Sequence, residues 1–357
     1  MNKQWMIYGA NGYTGALTAR EAVKRGLQPV LAGRNRDALK KLATELSLPF
    51  RVFDLKDPAV VREGLAEIDL VLHCAGPFSA TSRPMVEACL SKQAHYLDIT
   101  GEIDVFAACH QQDEAAKAAG IVVCPGAGFD VVPTDCMAAN LARALPDANH
   151  LELAFEAGGG ASPGTAKTSV EGLAKGGRIR ANGEMTRVPL AYATRTIPFA
   201  QGGRHGMTIP WGDVYTAFIS TKIPNIKVFL SVPPATSKRL RKIRWMQPLF
   251  GIALVQRWLK SRINRNVRGP DTEKRESTNS RVWGQVSNAA GKTLSAELET
   301  PNGYELTVTA SLGIVSKLLD QPAEQQAGGF FTPSMLMGHD YVFQLDGVRW
   351  VREPGTE

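Results

Sequence analysis

The sequence predicts an α/β domain with a doubly wound parallel sheet, followed by an α+β domain with a mostly antiparallel sheet. Three observations carry this. Short apolar runs alternate with helical patterns through the first 145 residues, the βαβ rhythm of a parallel sheet. The runs are largely apolar instead of cleanly alternating, as strands covered on both faces should be. Beyond residue 145, longer runs are punctuated by turn signals at Ala290-Gly291 and Pro301-Asn302-Gly303, which read as an antiparallel meander through "YELTVTASL".

Taken in order, strands are expected at 5–9, 29–32, 50–53, 68–73, 95–99 and 121–124, and helices at 14–25, 36–46, 58–66, 83–91 and 104–119. Gly26 and Gly120 fall just past helical patterns, where a glycine closes a helix. The second domain opens with a strand, a glycine-rich loop and a helix in "HLELAFEAGGGASPGTAKTSVEGLAKGG". The expected division is 1–145 for the first domain and 146–330 for the second. Residues 331–357 are expected to return to the first.

Bulk properties narrow the class. Of 357 residues, 44% are hydrophobic and 21% charged, the balance of an ordinary globular protein. The chain opens directly on a strand pattern, so no signal peptide is expected, and no apolar run approaches the length of a membrane span. The cysteines, at 74, 89, 109, 124 and 136, are odd in number and lack Cys-x-x-Cys spacing. The six histidines form no His-x-x-x-His pair. No disulfide framework and no metal site is expected, which suits a reduced, cytoplasmic setting.

The glycines in "MIYGANGYTG" follow the first strand and open a helix, the context a dinucleotide-binding turn requires. Gly9 permits the tight turn, Gly12 lets backbone approach a pyrophosphate, and Gly15 lets the helix pack close to the sheet. Ala10, Asn11, Tyr13 and Thr14 complete the turn, whose N–H groups lie at the positive end of the helix. The end of the second strand selects the cofactor. An NAD site carries an acid there, whereas an arginine accommodates a 2′-phosphate. Here Arg34 and Asn35 stand in "AGRNRDAL", with no acid before Asp37, so NADP is expected. Asp54, ending the third strand, is a candidate for the adenine edge. Ala75, Gly76, Pro77 and Phe78, following the fourth strand, are candidates to lie over the cofactor.

On "YGANGYTG", "AGRNRDAL", "CAGPFS", "HYLDITGE", "GAGFDVVPTD" and "SPGTAKTS", the chain resembles the saccharopine dehydrogenase-like oxidoreductases, including relatives described as trans-acting enoyl reductases of lipid synthesis. The resemblance covers most of the chain, closely to about residue 180 and more loosely through "GPDTEKRESTNSRVWGQV". It implies an N-terminal Rossmann domain that binds NADP and a C-terminal α+β domain that supplies a substrate pocket. Asn11 stands where the family often has Thr. The basic side chains that true saccharopine dehydrogenases use for an amino acid adduct do not map onto this sequence. The short-chain dehydrogenases share the glycine spacing but rely on Tyr-x-x-x-Lys. None of the tyrosines at 8, 13, 96, 192, 215, 304 and 341 has that lysine.

Proton donors are sought at the end of the fifth strand, where "HYLDITGE" offers Tyr96 and Asp98 as catalytic candidates, with Thr100 on the cofactor and Glu102 nearby. Asp130 and Asp135 surround a helix start marked by Pro133 and suit its dipole. Ser162 and Pro163 read as N-cap and first residue of a further helix, whose N–H groups, with Lys167, can meet a substrate anion. His73 and Cys74 read as core.

The net charge of +7 arises in one place: residues 214–270 hold twelve Lys or Arg and no Asp or Glu. The remaining 29 basic and 34 acidic residues leave the rest of the chain at −5. Within 236–268, basic clusters mix with Trp245, Leu249, Phe250, Ile252, Leu254, Val255, Trp258 and Leu259, the make-up of an interfacial amphipathic segment, with Pro248 between two helices. Contact with a membrane surface is expected through this segment. A nucleic acid partner is not, because no binding motif accompanies the charge; a homodimer stays open. The combined expectation is an NADP-dependent oxidoreductase, cytoplasmic or peripheral at the inner membrane face, reducing a C=C or C=O bond of a hydrophobic lipid or acyl substrate. The alternatives are a saccharopine-type amino acid or imine dehydrogenase, and a noncatalytic, membrane-associated NADP-binding scaffold or sensor.

Overall fold

A computed structural model describes residues 3–160, 162–267, 269–322 and 327–355. In chain order the first strands are β1 (Trp5–Tyr8), β2 (Val30–Gly33), β3 (Phe50–Val52), β4 (Leu70–His73), β5 (His95–Asp98) and β6 (Val122–Cys124). Next come β7 (Ala148–Glu156), β8 (Gly177–Ala181), β9 (Glu184–Val188), β10 (Thr194–Phe199), β11 (Gly202–Thr208) and β12 (Asn225–Ser231). The last are β13 (Asn279–Asn288), β14 (Thr293–Pro301), β15 (Gly329–Phe330) and β16 (Arg349–Arg352). The chain divides into two units, Met1–Asp130 with Leu306–Met337, and Val131–Glu305 with Gly338–Glu357.

The first unit is a parallel seven-stranded sheet in the order β15-β6-β5-β4-β1-β2-β3. Every residue of β1, β2, β4 and β5 is buried. That is why these strands read as unbroken apolar runs: helices cover both faces of the sheet. The strand order reverses between β1 and β4, the switch point at which an open α/β sheet leaves a crevice beyond its carboxyl ends. The loops after β1 to β6 carry the candidate residues of this unit.

The second unit holds a mixed sheet ordered β10-β11-β12-β7-β13-β14-β16, with β8 pairing β12 and β9. Only β12 and β7 run parallel; the other pairs are antiparallel. Trp283, Phe229, Phe199, Ile197 and Ala154 form a core cluster on this sheet. Burial of each large side chain contributes about 2–3 kcal/mol.

Several expectations change. The first unit ends at Asp130, not at residue 145, because the helix Val132–Ala144 packs on β13. A side chain at Gly284 would collide with Leu141 and Met137, so the glycine is what admits this helix. The expected third strand of the meander is the helix Gly303–Asp320. Its alternating Leu306, Val308, Ala310 and Leu312 imitate a strand, yet residues on nearly all sides of the helix are buried, and burial overrides the β-branched propensity. The place beside β14 is taken by β16, so Gly338–Glu357 belongs with the second unit, and the return to the first unit spans Leu306–Met337. The expected helix at 104–119 is two, Ile103–His110 and Asp113–Ala119. The helix after β4 starts at Phe78 and carries Pro84 within it. Pro248 lies in the first turn of a four-residue helix, Gln247–Phe250, between Pro234–Lys242 and Ala253–Asn266.

Candidate functional site

The turn after β1 is built by its glycines. Gly9 adopts φ +84°, and a Cβ there would lie 2.8 Å from both Cβ and N of Ala75. A Cβ on Gly15 would overlap the carbonyl oxygen of Gly9 and come 2.9 Å from the Ala10 Cα. Backbone bonds fix the turn: Gly9 N and Ala10 N donate to Ala32 O at 2.8 and 3.1 Å, and Gly12 N donates to Gly9 O at 2.9 Å. The helix Tyr13–Lys24 then starts with Gly12 as its N-cap and no side-chain cap. A helix start with no side-chain cap from its N-cap, in a turn whose glycines admit close backbone approach, fits the pyrophosphate of a dinucleotide. Ala10 is buried, Asn11 is exposed, and Tyr13 and Thr14 are half-buried on the first turn.

At the neighbouring corner, Arg34 is exposed just past β2. Arg34 and Asp54 both act electrostatically on the Tyr8 phenol, which burial pushes up to about 12 and which donates to Phe53 O at 3.1 Å. The three side chains thus share one corner of the sheet. Asn35 has a second task, since its side-chain oxygen accepts Ala38 N at 3.1 Å and caps the helix Arg36–Leu46. Asp54 accepts Lys56 N at 3.0 Å within its own turn.

The loop of Ala75, Gly76, Pro77 and Phe78 is held from behind by Thr81, whose hydroxyl lies 2.7 Å from Ala75 O and 3.1 Å from Pro77 O. Its one proton goes to a carbonyl, so it accepts from His73 Nε2 at 3.0 Å. His73 is therefore the Nε2–H tautomer. Burial lowers its pKa to about 3, and its Nδ1 has no hydrogen-bond partner among the described residues. Its ring lies among Tyr8, Phe78 and Tyr96, with centroids 5.5, 5.4 and 6.2 Å away. Cys74 is half-buried, and burial raises its thiol pKa to about 12, with the Asp98 charge adding to the shift. The core reading fits His73, which is fully buried, whereas Cys74 is only half-buried.

Tyr96 and Asp98, the candidates for proton donor, are both fully buried. The Tyr96 hydroxyl donates to Asp98 Oδ2 at 2.7 Å, and burial pushes its pKa well up. Asp98 Oδ1 accepts Thr100 N at 3.0 Å and Gly126 N at 2.9 Å. Burial outweighs these bonds and raises the Asp98 pKa to about 6. The observed work of the pair is to brace the loops after β5 and β6. Thr100 is buried too, its hydroxyl accepting Glu102 N at 3.0 Å.

Glu102 emerges with a task that sequence reasoning missed. Its two carboxylate oxygens accept Phe78 N at 2.9 Å and Ser79 N at 3.1 Å, capping the helix Phe78–Lys92 from the loop after β5. A signal was present. Pro77 is the N-cap and offers no side-chain acceptor, so the first N–H groups of this helix need one from elsewhere. The register His73↔Asp98 puts the loops after β4 and β5 side by side. Asp130, set against Gly101 with its Oδ2 2.9 Å from where a Cβ would be, has its pKa raised to about 7 by burial and then by the Glu102 charge.

The remaining candidates lie in the second unit. Asp135 accepts the Ser220 hydroxyl at 2.7 Å and ties the helix Val132–Ala144 to Asp213–Thr221. Ser162 is the N-cap of Pro163–Lys175, accepting Thr165 N at 3.3 Å, and Lys167 sits half-buried on that helix.

Comparison with known proteins follows the same outline. Residues 5–124 match the family model for the saccharopine dehydrogenase NADP binding domain. A human saccharopine dehydrogenase-like oxidoreductase is 27% identical over 152 residues, 36% of this chain and 35% of the relative. A trans-acting enoyl reductase of Mycobacterium ulcerans is 31% identical over 165 residues, 42% of this chain and 38% of the relative. The chain thus spans little more than a third of the length of these curated relatives. The solved apo saccharopine dehydrogenase (L-Glu forming) of Saccharomyces cerevisiae superposes with a TM-score of 0.64 at 10% identity, covering 99% of this chain and 100% of that one, a likeness of fold. The glycine cradle, the parallel sheet and the family match together assign a nicotinamide dinucleotide as the cofactor class. Residues 5–124 thus resemble the saccharopine dehydrogenase NADP binding domain on a Rossmann fold, and the similarity carried by the sequence motifs extends to these comparisons.

Proposed function

We propose that the protein is an NADP-dependent oxidoreductase that reduces a C=C or C=O bond of a hydrophobic substrate, a lipid or acyl chain. The tight glycine turn at Gly9–Gly15, opening a helix whose N-cap Gly12 offers no side-chain acceptor, carries the dinucleotide part of this reading. Arg34 supports NADP over NAD: it is exposed beside the cradle, no ion pair engages it among the described residues, and no acid occupies the end of β2. The likeness to a trans-acting enoyl reductase supports the substrate class.

When bound, a reduced nicotinamide supplies a hydride. The backbone N–H groups of the turn hold the pyrophosphate, and Arg34 pairs with the 2′-phosphate. The loop 75–78, pinned by Thr81 and Glu102, gives the cofactor a rigid wall. Tyr96 and Asp98 act on that geometry through the loops they brace.

The test is NADPH oxidation against a panel of enoyl, keto and imine compounds. Turnover of enoyl or keto acyl compounds supports the reading, and turnover of imines alone overturns the substrate class. One observation favours a second reading, a dinucleotide-binding scaffold or sensor without turnover: both sequence candidates for proton donor are sealed in the core and bonded to each other. Tight NADPH binding with silence across the panel is its signature.

A further inference from the structure

Eight large hydrophobic side chains are exposed among the described residues, and five of them stand between positions 245 and 258. Trp245 is 76% exposed, Leu254 70% and Trp258 57%, with Leu249 and Ile252 close to half. Exposed apolar groups scattered singly need no explanation, but a cluster of this kind marks an interaction surface. Its setting gives it a sign. The cluster lies inside the 57-residue stretch from 214 to 270 that holds twelve basic and no acidic residues. Lys238, Arg239, Lys242, Arg257, Arg262 and Arg265 are exposed around it.

The segment is anchored, so the exposure is a property of a docked helix. Gln256 donates to Val170 O at 3.1 Å and Lys260 pairs with Glu171, both on the helix Pro163–Lys175. Gln247 reaches Ala174 O at 3.3 Å, and Arg241 and Arg244 bind the carbonyls of Leu190 and Ala191. One side of the helix Ala253–Asn266 is thereby fixed to the protein. Leu254, Trp258 and Arg262, spaced by four residues, share a different face. The Arg262 guanidinium lies 5.3 Å from the Trp258 ring centroid, an arrangement that presents aromatic and cation together.

We infer that this face, Trp245 to Trp258 with its basic surround, docks the protein on the surface of an anionic lipid bilayer. Tryptophan and leucine enter the boundary between headgroups and acyl chains, and lysine and arginine pair with anionic headgroups. Charge decides between occupants. A two-fold contact with a second copy would set this uniformly basic surface against itself, which is repulsive. An anionic membrane is complementary over the whole patch. Glu171, the acid contributed by the packed helix, is already paired with Lys260 and leaves the balance unchanged. The inference concerns the second unit alone and holds whether or not the first turns over a substrate.

The experiment is vesicle flotation of the full chain, with phosphatidylcholine alone and with phosphatidylcholine mixed with phosphatidylglycerol, at low and high salt. Flotation with the mixed vesicles at low salt, weakened by high salt, is expected. Each exposed basic side chain near the surface contributes about fivefold, so Lys242→Gln with Arg257→Gln lowers affinity by about tenfold or more. Trp245→Ser with Trp258→Ser lowers it at least as much. Circular dichroism shows that these surface variants remain folded. In the wild type, brominated lipid quenches tryptophan emission, and the double tryptophan variant loses that quenching. Absence of flotation, or equal flotation with neutral and anionic vesicles, overturns the inference. So does a wild-type dimer in sedimentation equilibrium that Trp245→Ser with Trp258→Ser makes monomeric, because the face then belongs to a second copy. NADPH binding by all variants stays at the wild-type level.

Discussion

The Asp98 carboxylate accepts the backbone N–H of Gly126 at 2.9 Å, and through this bond the loop after β5 holds the loop after β6. The acid is fully buried, and its pKa stands at about 6 instead of the ordinary 3.8. The folded chain therefore keeps a proton that the unfolded chain releases between those values. The stability this contributes is complete below about pH 4 and is lost as pH rises through 6. The gap between the two values corresponds to at most about 3 kcal/mol. Denaturant unfolding between pH 4.5 and 7.5 should show Asp98→Asn losing less stability with rising pH than the wild type. Parallel slopes would remove Asp98 from the account. Asp130, with its pKa near 7, extends the decline in both proteins.

Glu102 couples two effects. Glu102→Gln leaves one acceptor oxygen for two helix-start N–H groups, so amide exchange at Phe78 and Ser79 should speed up, with a stability loss of about 1–2 kcal/mol. Removing the negative charge also lowers the Asp130 pKa from about 7. An NMR titration of the Asp130 carboxyl checks the second effect, and an unchanged midpoint would contradict the coupling.

Gly15→Ala places a methyl group on the Gly9 carbonyl oxygen. Neither partner is the end of a flexible side chain, so the backbone must shift. A loss of about 1–3 kcal/mol follows. NADPH affinity falls as well, because the turn that presents the N–H groups is the part displaced. Titration calorimetry and chemical denaturation read the two losses separately.

Arg34→Ala should weaken NADPH binding by about tenfold to a hundredfold, the range of a lost charge-assisted pair, and leave NADH nearly unchanged. Equal binding of both nucleotides by the wild type would sink this assignment. Stability should not move, since Arg34 is exposed.

Local signals carried the first unit well. The Gly9–Gly15 turn and the buried strands of that unit, like the Ser162 cap in the second, depend on neighbours within a few residues, and such positions show in a sequence. What escaped depends on distance in the chain. Glu102 caps a helix that begins 24 residues earlier, and only the strand register brings the two together. The helix Gly303–Asp320 defeats its alternating pattern because long-range burial decides its state. Tyr96 and Asp98 show the converse: chemistry-bearing side chains at a strand end drew attention as donors, while their places in the interior are set by packing that no spacing reveals.

The first unit takes its last strand and a largely buried helix from Leu306–Met337, with 175 residues of the second unit synthesised in between. Lys3 donates to the carbonyls of Leu318 and Gln321 at 2.7 and 2.6 Å, and Phe129 N to the Thr307 hydroxyl at 3.0 Å. On the ribosome the nucleotide-binding turn emerges early, yet the sheet that supports it stays open at the β6 edge until Gly329 and Phe330 have been made. During that interval the exposed β6 edge is a site for mispairing, and the second unit can complete most of its own sheet earlier. Maturation of the cofactor site is thus timed by the synthesis of a strand that shares none of its residues.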